Sequence, residues 1–176
     1  QRVIDRLFYR ERYDPLKALE QFGQQIKDVT DFDYLTSSLI ELTSRALRLS
    51  SACLIMPSVQ VNDYRVVASR GLKDSSTQYR LRENSPFIKW MEHTSSFLQS
   101  RDIDIFPQLR ALSHGERKVL HELSGELYVP LKVRGKLIGI LILGHKLSEQ
   151  PFTAEDVKLL SAVSTQMAMT LDNARL

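Results

Sequence analysis

The chain has 176 residues, of which 43% are hydrophobic and 26% charged, with a formal net charge of +3 and one cysteine. This composition excludes a disordered chain, and no apolar run approaches the roughly 18 residues that span a bilayer. Basic and acidic residues are interleaved, which argues against nucleic acid as a partner, because nucleic-acid readers cluster their basic residues. The lone Cys53 cannot form an internal disulfide, and this suits a reducing compartment such as the cytoplasm.

The N-terminal part of the chain predicts two helices with narrow apolar seams. Asp14 followed by Pro15 suits an N-cap with proline at the first helical position, and Asp31 or Asp33 can cap the second helix. We expect residues 1–32 to form a signalling or linker helix ahead of a domain at residues 33–176. The seam residues, spaced as in paired helices, are Leu19, Phe22, Ile26 and Val29, then Leu35, Leu39, Leu42, Ala46 and Leu49.

A β-hairpin is predicted next. Residues 51–56, SACLIM, form a strand that ends at Pro57, and residues 64–70, YRVVASR, form its partner after the turn signal Asn62-Asp63. The middle section, residues 72–126, predicts only short elements. These are a strand at YRLR, a helix from Ser85-Pro86, a strand at SFLQS and a helix near 115–123.

The stretch VPLKVRGKLIGILILG, residues 129–144, predicts a second hairpin that turns at Arg134-Gly135. Apolar and polar residues alternate in its first strand, so that strand is half exposed. Its second strand, Leu137 to Leu143, is apolar on both faces apart from Gly139. Such a strand needs cover on both sides of the sheet.

The last predicted helix runs from Ala154 to the end of the chain. Thr153 and Asp156 have the spacing of a capping box, with Phe152 and Val157 placed as a hydrophobic staple. Most of the helix circumference is apolar or small, so the helix should be covered on two sides. The residues expected to join a homodimer and relay a signal are Leu19, Phe22, Ile26, Leu160, Met167 and Leu171.

The order of these elements and the sequence of the last third resemble the GAF domain family. The family pattern is VPL, a turn with glycine, GxL with apolar flanks, a polar loop, and F(T/S)xED at the start of a helix. The matching residues are Val129, Pro130, Leu131, Gly135, Gly139, Phe152, Thr153, Glu155 and Asp156. The segment RLFYRERYDPLKALEQF also resembles the stretch that precedes such domains in membrane-bound sensor histidine kinases.

The resemblance implies an α+β fold with a central antiparallel sheet. The N- and C-terminal helices would cover one face, and short helices and loops would roof a possible pocket on the other. It further implies a sensory domain of a multidomain bacterial protein, which we expect to be a two-component sensor histidine kinase. The expected partners are a second copy, a covalently linked output domain and a small molecule of unknown identity. Because the chain lacks an initiator Met and stops within a helical pattern, we expect a piece of a longer cytoplasmic protein or cytoplasmic portion, with any membrane anchor elsewhere.

The middle section supplies the candidate ligand-binding residues. Its apolar side chains are expected to form pocket walls, and its arginines could meet an anionic ligand. The wall residues are Phe87, Ile88, Trp90, Met91, Phe97, Ile105, Phe106 and Leu109, and the arginines are Arg80, Arg82 and Arg101. The sequence is equally compatible with the same aromatic residues filling a core.

No catalytic or metal site is predicted for this chain. The four histidines are scattered without metal-ligand spacing, and Cys53 in the apolar run ACLIM is expected to be a buried residue and not a reactive thiol. His121-Glu122 resembles the phosphoacceptor motif of histidine kinases, but Gly125 and a predicted strand follow it too closely for the helix that an acceptor needs.

Cyclic-nucleotide-binding GAF domains resemble one another in an Asn-Lys pair followed by Phe, three residues and Asp-Glu. Lys146, Phe152 and Asp156 fit this pattern, whereas His145 replaces Asn and Val157 replaces Glu. We therefore expect no binding of cyclic AMP or cyclic GMP. The alternative functions are a regulatory domain of a cyclic-nucleotide-linked enzyme, a catalytic GAF relative, and a dimer scaffold without a ligand.

Overall fold

The computed structural model describes residues 32–174. The predicted first helix and its seam residues Leu19, Phe22 and Ile26 lie outside this range. The helices are α1 (Phe32–Leu47), α2 (Pro86–His93), α3 (Pro107–Arg110), α4 (His114–Glu122) and α5 (Ala154–Ala174), with 3-10 turns at Asp74–Gln78 and Ser100–Asp104. The strands are β1 (Ala52–Ser58), β2 (Asp63–Arg70), β3 (Arg80–Arg82), β4 (Leu98–Gln99), β5 (Leu127–Val133) and β6 (Lys136–Leu143).

The six strands form one antiparallel sheet in the order β3-β2-β1-β6-β5-β4. Both predicted hairpins are confirmed. The second turns at Arg134 and Gly135, whose φ angles of 53° and 78° are those of a two-residue turn that follows the twist of the strands. The first differs in one detail, because β1 continues through Pro57 to Ser58. Proline is tolerated here, close to the end of the hairpin ladder.

Two hydrophobic cores cover the two faces of the sheet. On the first face α1 and α5 pack over β1, β5 and β6, and on the second face α2, α3, α4 and the loops between them pack over the same strands. Strand β6 therefore contributes side chains to both cores, as its doubly apolar sequence predicts. The α+β architecture expected from the sequence is confirmed.

Side chains satisfy the free backbone groups at the starts of three helices. Ser85 accepts a hydrogen bond from the Phe87 N–H at the start of α2. At α5, the Thr153 hydroxyl accepts from the Asp156 N–H (3.1 Å) and the Asp156 carboxylate accepts from the Thr153 N–H (2.7 Å). Both caps agree with prediction. A third cap, the capping box of Ser113 with Glu116 at α4, was not predicted.

The predicted pairing seams of α1 and α5 require a correction. Leu160, Met167 and Leu171 are buried against the sheet of their own domain, and so are Leu35, Leu39 and Leu42 of α1. A stripe spaced by three and four residues fits a sheet as well as a second helix, so the spacing alone did not identify the partner. The outward side of α5 carries the exposed Met169 and Val157, and the exposure of Val157 gives no support to the predicted staple with Phe152. Among the described helices, none combines the length and hydropathy needed to cross a bilayer.

Three truncations on α5 distinguish its core-facing side from its outward side. We expect Met167→Ala or Leu171→Ala to lower the free energy of unfolding by roughly 2–5 kcal/mol, since each leaves a cavity in the first core. Met169→Ala, on the exposed side, should change it by less than about 0.5 kcal/mol. Urea unfolding followed by circular dichroism measures all three, and equal losses would contradict this packing.

Candidate functional site

Several side chains predicted to line a pocket come together on the second face of the sheet, where they pack against one another as a core. Phe87, Met91 and Leu109 have no exposed surface, and neither does the neighbouring Ile88. Phe87 packs edge-on against Tyr128 of β5, with ring centroids 5.0 Å apart. These side chains occupy the space between α2, α3 and the sheet, so their role as ligand contacts stays a prediction.

Trp90 and Phe106 form the partly exposed margin of this second core. Their rings stack with centroids 4.8 Å apart and an interplanar angle of 24°. Ile105, which was expected to line the pocket, is instead 58% exposed. The stacked rings of Trp90 and Phe106 therefore lie at the edge of the second core and not inside it.

Phe97 and the predicted arginines do not join the second core. Phe97 packs against the first core, because its neighbour Leu98 in β4 faces the second core and successive residues of a strand point to opposite faces. Arg80 and Arg82 flank the inward Leu81 on β3 and are exposed for the same reason. Arg101 is exposed in a 3-10 turn. The expectation that these residues line one pocket is thus corrected.

A cleft of about 780 Å³ opens instead at one end of the sheet, and we call it the end cleft. Strands β1 and β6 pair only from Ala52↔Leu143 to Ile55↔Ile140, and beyond these residues they no longer pair. The two hairpin turns and the last turn of α2 surround the resulting opening. Its lining includes the ionisable residues Asp63, Glu83, Glu92, His93, Arg134 and Lys136 together with the apolar Pro57, Tyr64 and Leu137.

Register shifts in both hairpins aim side chains at this end of the sheet. One shift lies between Leu54 and Ile55 of β1, and the other lies between Leu131 and Lys132 of β5. Bulges of this kind turn the following side chains relative to the faces of the sheet. Consequently Leu137, which pairs with Lys132, faces the second core and the end cleft.

Lys132 connects the sheet to α2. Its ammonium donates hydrogen bonds to the backbone carbonyl of Glu92, at 2.9 Å, and to that of Thr94. These carbonyls lie at the C-terminal end of α2, where a cation also complements the helix dipole. Burial lowers the pKa of Lys132, and the nearby Glu92 carboxylate offsets this only in part. Sequence reasoning missed Lys132, because the alternation of β5 marks it merely as a residue on the polar face.

The positions that partly match the cyclic-nucleotide pattern contact one another. Lys146 and Asp156 form an ion pair of 2.5 Å, the Lys146 ammonium lies 5.9 Å from the centre of the Phe152 ring, and His145 contacts the Ser50 hydroxyl at 3.1 Å. Burial alone would raise the pKa of Asp156, but hydrogen bonds from Lys146 and Thr153 and the Lys146 charge hold it below its usual value. The set fastens the loop after β6 to the start of α5.

Cys53 has the inert character that its sequence context predicts. It is fully buried in the second core, and burial raises the pKa of its thiol to about 12. A thiol in this state is not a nucleophile at neutral pH. In the part of the chain that the structure describes, no three His, Cys, Asp or Glu side chains are grouped so as to hold a metal ion.

The comparison with protein families identifies the fold. The GAF domain family matches residues 41–172, three quarters of the chain. The chain belongs to the GAF domain family. The sequence resemblance seen in the last third therefore extends through the irregular middle section, where the motifs were weakest.

The chain is similar to proteins of several different kinds. Diguanylate cyclase A of Treponema denticola is 24% identical over 184 residues, covering 99% of this chain and 47% of that protein. The chain thus spans about half the length of this relative. The GAF domain of a phosphoenolpyruvate-protein phosphotransferase from Coxiella burnetii superimposes with a TM-score of 0.67 at 21% identity, covering 92% of this chain and 94% of that one.

A GAF domain/HD domain protein from Geobacter sulfurreducens gives a TM-score of 0.67 at 19% identity, over 85% of this chain and 97% of that one. At these identities the structures establish a shared fold. They do not establish a histidine kinase as the parent protein, and that part of the sequence interpretation stays a proposal.

The Lys146–Asp156 ion pair predicts a specific pH dependence of stability. Because the pKa of Asp156 is lower in the folded state, its charge stabilises the fold above its ordinary pKa of about 4, and this contribution is lost as the pH falls below that value. Asp156→Asn keeps a cap acceptor and removes the charge. We expect a cost of roughly 1 kcal/mol at pH 7 that shrinks below about pH 4.

Urea unfolding of the wild type and of Asp156→Asn from pH 7 to about pH 2.5 measures the difference in their free energies of unfolding. Glu155→Gln is a matched control, since it changes the charge of an exposed neighbour in the same helical turn. A difference between wild type and Asp156→Asn that stays constant over the whole pH range would contradict the assignment.

Proposed function

We propose that this chain is the regulatory input domain of a multidomain signalling protein and that it acts on a covalently linked output domain through α5. One observation carries the proposal. Strand β5 supports α5 on the first face, while its Lys132 holds the end of α2 on the second face. A displacement of α2 would therefore reach the strand on which α5 packs.

Adjacent residues of β5 make the two connections. Leu131 is fully buried in the first core with Met167 and Leu171 of α5, and Lys132 points the opposite way to the carbonyls of α2. A change of register or twist in this strand would move both side chains together. A domain of this kind needs no catalytic residue of its own.

The output domain is part of the proposal. The segment before the domain favours the histidine kinase that the sequence suggests. A diguanylate cyclase output has the broader support, because the Treponema denticola relative matches 99% of this chain, including the residues before α1. We keep both outputs as candidates.

A second candidate function is a dimer scaffold that binds no ligand in the second core. The complete burial of Phe87, Met91 and Leu109 favours it, because these side chains already occupy the region expected for a ligand. In either function we propose a homodimer. Its contacts would come from the predicted N-terminal seam and the outward side of α5, since the inward side is used by the sheet.

The phase of α5 tests the regulatory proposal. In a chimera that replaces the matched region of Treponema denticola diguanylate cyclase A with this chain, an insertion after Leu176 rotates everything downstream. Two helical residues rotate it by about 200°, and seven restore it to within about 20°. We expect two residues to lock or abolish diguanylate cyclase activity and seven to retain the activity of the chimera without an insertion.

Four inserted residues, a rotation of about 40°, serve as an intermediate control. The insertions lie outside the sheet, so thermal unfolding of the domain should be the same in all chimeras. Equal cyclase activity in the two-residue and seven-residue variants would show that α5 is a passive tether.

The oligomeric state tests the proposed dimer. We expect the chain to be a dimer by light scattering at micromolar concentration, and Leu19→Glu with Ile26→Glu to shift it to a monomer, because charges replace apolar seam residues. Lys17→Glu is a control that changes charge off the seam. A wild-type monomer at about 1 mM would argue against this part of the proposal.

A further inference from the structure

The end cleft separates charges of opposite sign along the sheet. Asp63 begins β2 and Glu83 follows β3, whereas Arg134 and Lys136 lie at the turn into β6. Strand β1 stands between β2 and β6 and no longer pairs with β6 at this end, so the acidic and basic sides are farther apart than two spacings of paired strands, which is about 10 Å. We propose that the end cleft binds a small zwitterion, with an ammonium group near Asp63 and a carboxylate near Lys136.

Asp63 has an oxygen that suits an ammonium donor. Its Oδ2 accepts a long hydrogen bond of 3.4 Å from Arg80, whereas its Oδ1 is buried and has no hydrogen-bond partner among the residues that the structure describes, so a ligand in the cleft reaches this oxygen only if the carboxylate rotates. A buried carboxylate oxygen without a donor is costly and usually has a ligand or water as its partner. An ammonium group brings both the missing donor and a compensating charge.

The acidic side of the cleft is held in place before a ligand binds. Asp63 is fixed by its pairing with Ser58 in the hairpin and with Arg82 in β3. The Glu83 N–H donates to the Asn62 carbonyl at 3.1 Å, which closes the adjacent turn. A preformed arrangement lowers the entropy lost on binding. A metal ion is a poorer occupant, since no group of three metal-ligating side chains occurs in the described range.

The cleft is connected to the strand that supports α5. Glu92 and His93 line it from the last turn of α2, and the Glu92 carbonyl is one of the two bound by Lys132. A zwitterion in the cleft would therefore contact the same helix end that β5 holds. This consequence for signalling rests on the proposed function, whereas binding itself does not.

Titration calorimetry on the full 176-residue chain tests the site with probes of graded length. The probes are glycine, β-alanine, γ-aminobutyrate, 5-aminopentanoate and 6-aminohexanoate. We expect one of the longer probes to bind with a Kd between roughly 1 μM and 1 mM and one site per chain. Butylamine and butyrate, which each carry one of the two charges, should bind at least about tenfold more weakly.

Variants locate the binding. Asp63→Asn and Lys136→Gln should each weaken the best probe by about tenfold or more, while Asp74→Asn, the same charge change at an exposed position outside the cleft, should leave the Kd unchanged. Arg80→Gln should keep or tighten binding, because it removes a cation that competes for Asp63. Amide chemical shifts at Asn62, Asp63 and Lys136 should move on titration, which covers the case of a variant that does not fold.

Absence of binding by every zwitterionic probe up to about 10 mM would overturn the proposal. So would equal binding of butylamine, which would indicate a cation site, or shifts confined to another surface. None of these results affects the helix-phase experiment, so failure of this site and failure of the regulatory function are distinguishable.

Discussion

The fold depends on one strand that has no exposed face. In β6 every residue from Leu137 to Leu143 is buried, and the strand is paired with β1 on one side and β5 on the other. Its backbone is satisfied within the sheet, but its side chains need an apolar layer on each face. The terminal helices supply one layer and the middle section supplies the other. Removal of either layer would expose a row of branched aliphatic side chains to water.

The same strand also limits the sheet. Gly139 lies next to Ile140, the last residue of β6 that pairs with β1, and a Cβ at Gly139 would approach the Ile55 carbonyl oxygen to 3.2 Å. Immediately beyond this contact the pairing of β1 with β6 ends. The paired part of β1 and β6 and the part where the two strands separate are therefore directly adjacent. The end cleft follows from the place where that pairing stops.

The sequence predicted the elements well where a local rule determines them. Alternation and turn residues located both hairpins, and the side chains of Ser85 and Thr153 located the starts of α2 and α5. These features depend on residues within a few positions of one another. The need for an apolar layer on each face of β6 also followed from local information, whereas the α+β arrangement of those layers was implied by the family resemblance.

The sequence could not determine the site where the answer depends on distant pairing. The spacing of Leu160, Met167 and Leu171 showed an apolar stripe, but only the fold shows that the sheet covers it. Phe97 was placed on the wrong face because a two-residue strand gives too little alternation to fix its register. The end cleft could not be predicted, since its acidic and basic residues lie about 70 positions apart and meet only because β1 pairs with β6.

The two sides of α5 have unequal capacity to bind a partner. Its inward side is committed to the first core, and its outward side presents Val157, 37% exposed, and Met169, 51% exposed, among small and polar residues. Two partly exposed side chains offer little apolar area, and burial of apolar area contributes only about 25 cal/mol per Å² to the free energy of association. A dimer held by this surface alone would be weak. Because α5 is fixed to its own sheet and its outward side binds a partner only weakly, α5 can rotate together with its whole domain relative to that partner. This rotation does not require the domain to unfold.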